Sequence, residues 1–94
     1  MAKVKCVQYT SPTCGVCKMT ASVVDKAVAS FDPSELEFER VCLEGDAVAA
    51  AAADGIRTLP TFVFYGEDGA EAGRHVGAMN LMQFKNTVKG ILAK

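Results

Sequence analysis

Ser11-Pro12-Thr13-Cys14-Gly15-Val16-Cys17-Lys18 places a C-x-x-C pair between a hydrophobic run that ends at Tyr9 and a helix-like run that begins near Cys17. A bare C-x-x-C is equally half of a zinc site. At a strand-to-helix junction, however, the first sulfur lies beside unpaired helix N–H groups and the positive end of the helix dipole. There a thiolate is stabilised and becomes a nucleophile.

Working outward, Lys3 to Tyr9 has strand character, its polar residues thinning toward the C-terminal end as in a strand entering the interior. Ser11-Pro12 breaks it, and Thr13 can cap a helix in which Met19, Val23, Val24, Ala27, Val28 and Phe31 recur at helical spacing until Asp32-Pro33 stops it. Leu36 to Leu43 predicts a second strand. Its apolar positions change phase, from Leu36 and Phe38 to Val41 and Leu43, as a bulge or burial on both faces would produce. Asp46 is the expected N-cap of an alanine-rich helix over Ala47 to Asp54, small enough in side chain to approach a sheet closely, with Gly55 as its C-terminal cap. Thr58-Leu59-Pro60-Thr61 leads into a strand at Phe62 to Tyr65. A turn at Gly66 to Gly69 then joins it to an antiparallel strand from about Ala72 to Val76. Asn80 and Gln83 form a capping-box pattern before a last helix with Leu81, Phe84, Val88, Ile91 and Leu92 on one face. The order is βαβαββα, an α/β fold in one domain, residues 1–94, without repeat or linker.

Ninety-four residues support one compact core and one site. Ten basic and eleven acidic residues nearly cancel, and no basic cluster points to nucleic acid or an anionic membrane. The first strand pattern follows Met1 so closely that no signal peptide is expected, nor does any apolar run approach membrane-spanning length. A cytoplasmic location is the expectation. Four cysteines in such a chain imply reduced thiols with one catalytic pair, and Cys6 and Cys42, which carry no motif, are expected to be small buried hydrophobes on strands. His75, the only histidine, is expected at the surface.

Three landmarks in this order resemble the thioredoxin superfamily: Cys14-Gly15-Val16-Cys17-Lys18 after the first strand, Gly55-Ile56-Arg57-Thr58-Leu59-Pro60-Thr61 before the hairpin, and Val76-Gly77-Ala78 after it. The resemblance implies a thioredoxin fold: a four-stranded mixed sheet with helices on both faces, a redox-active dithiol at the sheet edge, and a cis Leu59-Pro60 bond facing it. There a proline, which has no N–H, leaves flanking backbone groups to an extended substrate. Gly15, Val16, Leu59, Pro60 and Gly77 are then the substrate-binding positions. Larger thioredoxins begin with an additional strand and helix, carry tryptophan where this chain has Thr13, and bury an aspartate where it has Gln8. A neutral amide cannot serve as that base. The compact length is closer to the small thioredoxin-like or glutaredoxin-like proteins of some microbes and their viruses.

The resemblance implies thiol-disulfide exchange, with Cys14 attacking a substrate disulfide and Cys17 resolving the mixed disulfide. Gln8, Lys18 and Arg40 are modulating positions. Arg40 either sits below the pair and favours thiolate or is a solvated strand-edge residue. No metal and no cofactor beyond the Cys14–Cys17 disulfide is expected, and the partners are disulfide-containing proteins plus an electron donor, thioredoxin reductase or glutathione, meeting a monomer. Gly15-Val16 lacks the histidine of strongly oxidising relatives, favouring a reductant. Three alternatives stand beside this one: a glutathione-dependent glutaredoxin-like reductase, a binding module in which the cysteines are incidental, and a metal site shared across a dimer.

Overall fold

The computed structural model describes residues 4–11, 15–44, 46–53, 55–56 and 59–93. The elements are β1 (Val4–Thr10), α1 (Gly15–Ala29), β2 (Leu36–Cys42), α2 (Asp46–Ala53), β3 (Thr61–Tyr65), β4 (Glu71–Val76) and α3 (Leu81–Leu92), the expected βαβαββα order. They form one mixed sheet in the order β2-β1-β3-β4, with β1 parallel to β2 and the β1/β3 and β3/β4 pairs antiparallel.

Alternation along the strands divides the core in two. Val4 and Cys6 of β1, Leu36 of β2, and Phe62 and Phe64 of β3 pack with Val24 and Ala27 of α1 and Phe84 and Val88 of α3. On the opposite face Val63 packs with Leu43, Ala51 of α2 and Ile56, flanked by Tyr9, Val41 and Leu59. The phase change in β2 is therefore burial on both faces and not a bulge: Phe38 joins the first cluster, Val41 the second, and the β1/β2 register runs unbroken from Val4↔Leu36 to Thr10↔Cys42.

Helix ends follow local chemistry. α1 ends at Ala29, two residues before the expected Phe31, where Ser30 donates both its N–H and its hydroxyl, the latter at 2.6 Å, to the Ala27 carbonyl. Asp46 is the first helical residue of α2 rather than its cap; Gly45 before it and the Thr13 cap expected for α1 lie outside the described residues. Gly55 adopts φ +86° and donates to the Ala52 carbonyl while Ile56 N–H reaches Ala51, closing the helix as expected. Two expected core contacts fail. Met19 is 76% exposed, lining a shallow groove with Val23, Met79 and Gln83, and Leu81 is 40% exposed in the first turn of α3. Met19 stands on the side of α1 turned away from the buried Cys17, Thr20, Val24 and Ala27, and Leu81 is the first residue of α3.

Asn80 and Gln83 make the full capping box, Gln83 N–H to Asn80 Oδ1 at 2.8 Å and Asn80 N–H to Gln83 Oε1 at 2.9 Å. Asn80→Ala is expected to destabilise the fold by about 1 kcal/mol. The check is a lowered urea midpoint at an unchanged denaturant slope; an unmoved midpoint would show that water caps this turn equally well.

Candidate functional site

Helix α1 begins at Gly15, which is exposed, and brings Cys17 inward within its first turn. Cys17 is only 2% exposed and is held in a disulfide, whereas Cys6 and Cys42 are free thiols. Lys18 points to solvent. Cys14 lies outside the described residues, as do Arg57, Thr58 and the side chain of Val16. The free thiols differ from each other. Cys6, in a central strand under α1, is fully buried, and desolvation pushes its pKa far above the ordinary thiol range, so it stays protonated and inert. Cys42 is exposed, contrary to expectation, because it ends β2, an edge strand with no outer neighbour.

The Leu59-Pro60 peptide is cis, as the resemblance implied, and Pro60 is buried while Leu59 packs on the second cluster. Gly77 N–H donates to the Pro60 carbonyl at 2.8 Å, tying the segment after β4 to the one before β3. Gly77 has φ +99°, a conformation that disfavours any side chain. His75 is half-buried rather than superficial, its Nε2 3.0 Å from the Ala78 carbonyl and its ring against Phe62. Because Tyr9 of β1 pairs with Thr61 of β3, the start of α1 and the Pro60 and Gly77 segments lie at one end of the sheet. Leu59, Pro60 and Gly77 thus gather at the end where Cys17 lies.

Beneath α1 the structure joins two of the modulating positions. Gln8 is fully buried, and its Oε1 accepts from Arg40 Nε at 2.8 Å across the Gln8↔Arg40 register of the parallel pair. Arg40 continues to Asp25 of α1, Nη2 to Oδ1 at 2.9 Å, with its guanidinium carbon 5.1 Å from the Phe38 ring centroid. Arg40 is exposed on edge strand β2, as the strand-edge alternative has it, and its guanidinium is in addition held between two partners. Asp25 was not singled out from the sequence; only the fold brings it to Arg40. Gln8 Nε2 has no hydrogen-bond partner among the described residues, an arrangement that ordinarily costs about 1–3 kcal/mol.

The comparisons agree with this geometry. The family model described as Thioredoxin matches residues 1–90. The thioredoxin of Mycoplasma genitalium is 37% identical over 73 residues, covering 78% of this chain and 68% of that protein. Among solved structures, Fasciola hepatica thioredoxin superposes with a TM-score of 0.77 at 30% identity, over 95% of this chain and 81% of that one. The reduced thioredoxin pre-protein of Schistosoma mansoni gives 0.78 at 24% identity, over 95% and 79%, a likeness of fold alone. With a buried half-cystine opening a helix, a cis-proline segment at the same end of the sheet, and both family comparisons in agreement, this chain belongs to the thioredoxin family and is a thiol-disulfide oxidoreductase acting on protein disulfides with a reductase as partner.

Proposed function

We propose that the chain is a cytoplasmic, monomeric reductant of protein disulfides, cycling between a Cys14–Cys17 dithiol and the corresponding disulfide without a resident cofactor or metal. The observation that carries this is the state of Cys17: buried, in the first turn of α1 and in a disulfide, while Cys6 and Cys42 remain thiols. A secluded sulfur suits the resolving role and leaves the meeting with substrate to Cys14.

In the forward cycle the Cys14 thiolate attacks one sulfur of the substrate disulfide; a Cys14–substrate bond forms and the first substrate thiolate departs. Cys17 as thiolate then attacks the Cys14 sulfur. The second substrate thiolate leaves and the Cys14–Cys17 bond closes. Two electrons pass to the substrate, and the two protons of the reduced pair end on its two thiols. Gly15, Val16, Leu59, Pro60 and Gly77 are assigned to an extended substrate segment, where φ +99° at Gly77 and the missing N–H at Pro60 keep the surface open to a backbone. Lys18, exposed one residue beyond Cys17, acts through its charge at most. Among the described residues no cluster of three or more His, Cys, Asp and Glu could hold a metal ion, and no helix is long and apolar enough to cross a membrane.

The electron donor is assigned to a thioredoxin reductase, because Gly77-Ala78 lacks a glycine pair for glutathione and Gly15-Val16 lacks Pro-Tyr. The test is NADPH-linked reduction of a protein disulfide, one cuvette supplied through thioredoxin reductase and the other through glutathione with glutathione reductase. Turnover in the first is expected. Turnover only in the second makes the protein a glutaredoxin, and turnover in neither leaves a binding module.

A further inference from the structure

Gln8 presents a buried donor with no acceptor among the described residues, and its orientation is fixed from outside. A guanidinium only donates, so the Gln8 atom facing Arg40 Nε must be the oxygen, and Arg40 is itself held by Asp25 and Phe38. The two Nε2 hydrogens therefore point away from Arg40, inside the α1-covered half of the core, without a partner among the described residues.

Topology identifies the nearest part of α1. The helix is the crossover between parallel β1 and β2, so it runs back along β1 in the opposite sense. Its buried stripe is Cys17, Thr20, Val24 and Ala27; the last two pack with Cys6 and Val4 toward the beginning of β1, which sets the Cys17 end over the later part, where Gln8 stands. In the disulfide the Cys17 sulfur is a weak acceptor. On reduction it gains a lone pair and negative charge, and a buried thiolate needs a donor.

We propose that Gln8 is a positioning residue whose Nε2–H group donates to the Cys17 sulfur in the reduced protein, replacing a base with a fixed hydrogen-bond donor. This rests on the dithiol cycle given above. Gln8 takes no proton. When the reduced protein engages substrate, the proton of Cys17 goes to the departing substrate thiolate or to solvent, and the amide holds the resulting thiolate until it attacks the Cys14 sulfur. Among the described residues the other titratable or charged groups on this face include Arg40 and Cys42 from β2, Asp25 from α1, Cys6 from β1 and His75 from β4 beyond Phe62. A change at Gln8 leaves Asp25, Cys6 and His75 with their own contacts; in Gln8→Leu, Arg40 loses the bond to Gln8 Oε1 and keeps those to Asp25 and Phe38.

The test titrates Cys17 in the reduced full-length protein by the 13Cβ shifts of labelled cysteine. Gln8→Leu, which removes the donor, is expected to raise the Cys17 pKa by about one to two units. Gln8→Glu, isosteric and anionic, is expected to raise it further. An unchanged Cys17 titration in Gln8→Leu overturns the proposal. Should that variant fail to fold, the unaltered protein still decides: one Gln8 Nε2 proton is expected to move downfield on reduction and to follow the Cys17 titration, and identical Nε2 resonances in the two redox states overturn it. Failure of the dithiol cycle itself would show separately, as reductase-coupled turnover that survives Cys14→Ser.

Discussion

Cys14→Ser is expected to abolish reductase-coupled disulfide reduction, and Cys17→Ser to convert the same protein into a covalent trap for its substrate. The two outcomes differ because the two sulfurs act in different steps. A serine hydroxyl in place of Cys14 is not ionised near neutral pH, so no mixed disulfide forms and turnover falls to the uncatalysed background. With Cys17→Ser the first attack proceeds, but the buried position that holds the resolving sulfur carries a hydroxyl, and the mixed disulfide persists. Non-reducing electrophoresis after mixing with a disulfide protein checks this: an adduct from Cys17→Ser, none from Cys14→Ser, and release on adding dithiothreitol. Free turnover of Cys17→Ser in the absence of glutathione would sink the two-cysteine cycle. Cys42, the exposed free thiol, is the internal control, since Cys42→Ser is expected to leave both results unchanged.

Most of the architecture was legible because its signals are local. The period-2 and period-3.6 patterns, the Asn80–Gln83 capping box and Gly55 at the end of α2 all act within a few residues of themselves, and each is where its chemistry places it. The misplacements are long-range in origin. Cys6 and Cys42 look alike in sequence, yet one lies in central β1 and the other ends edge strand β2, a difference set by strand order. Met19 and Phe31 both fit a loose apolar spacing, but the face of α1 that meets the sheet is the one of Cys17, Thr20, Val24 and Ala27, so Met19 is turned to solvent while Phe31 packs. The site divides in the same way. Its cysteine pair and Pro60 are written in motifs, whereas the Gln8–Arg40–Asp25 chain joins positions 15 and 32 residues apart, through a register that exists only once β1, α1 and β2 are assembled. Gln8 alone reads as the loss of a base; with its amide turned by Arg40 it becomes a donor of known direction.

The largest stability effect is expected at Phe84. This α3 side chain is fully buried and meets three rings from two strands: Phe38 at 6.5 Å, Phe62 at 6.4 Å and Phe64 at 5.7 Å between centroids, two edge-on and the third tilted. It is the one ring common to all three phenylalanine–phenylalanine ring pairs on that face. Truncation to alanine removes the apolar area and leaves a space that three aromatic neighbours, each anchored in the sheet, are poorly placed to fill. Phe84→Ala should therefore cost about 3–5 kcal/mol, against a total of roughly 5–15 kcal/mol for a domain of this kind. Urea unfolding would read it as a large fall in midpoint, several times that of Asn80→Ala, and a loss below about 1 kcal/mol would mean that the core closes over the gap. Phe84→Leu keeps most of the volume and should recover much of the loss. The cluster also contains Val24 and Ala27, which seat α1 on the sheet, so the same variant bears on the chemistry. If packing of α3 matters only for holding the fold, turnover per folded molecule at low temperature should match the parent. A drop in that quantity, with Cys14 and Cys17 untouched, would show that Phe84 reaches the dithiol through the seating of α1.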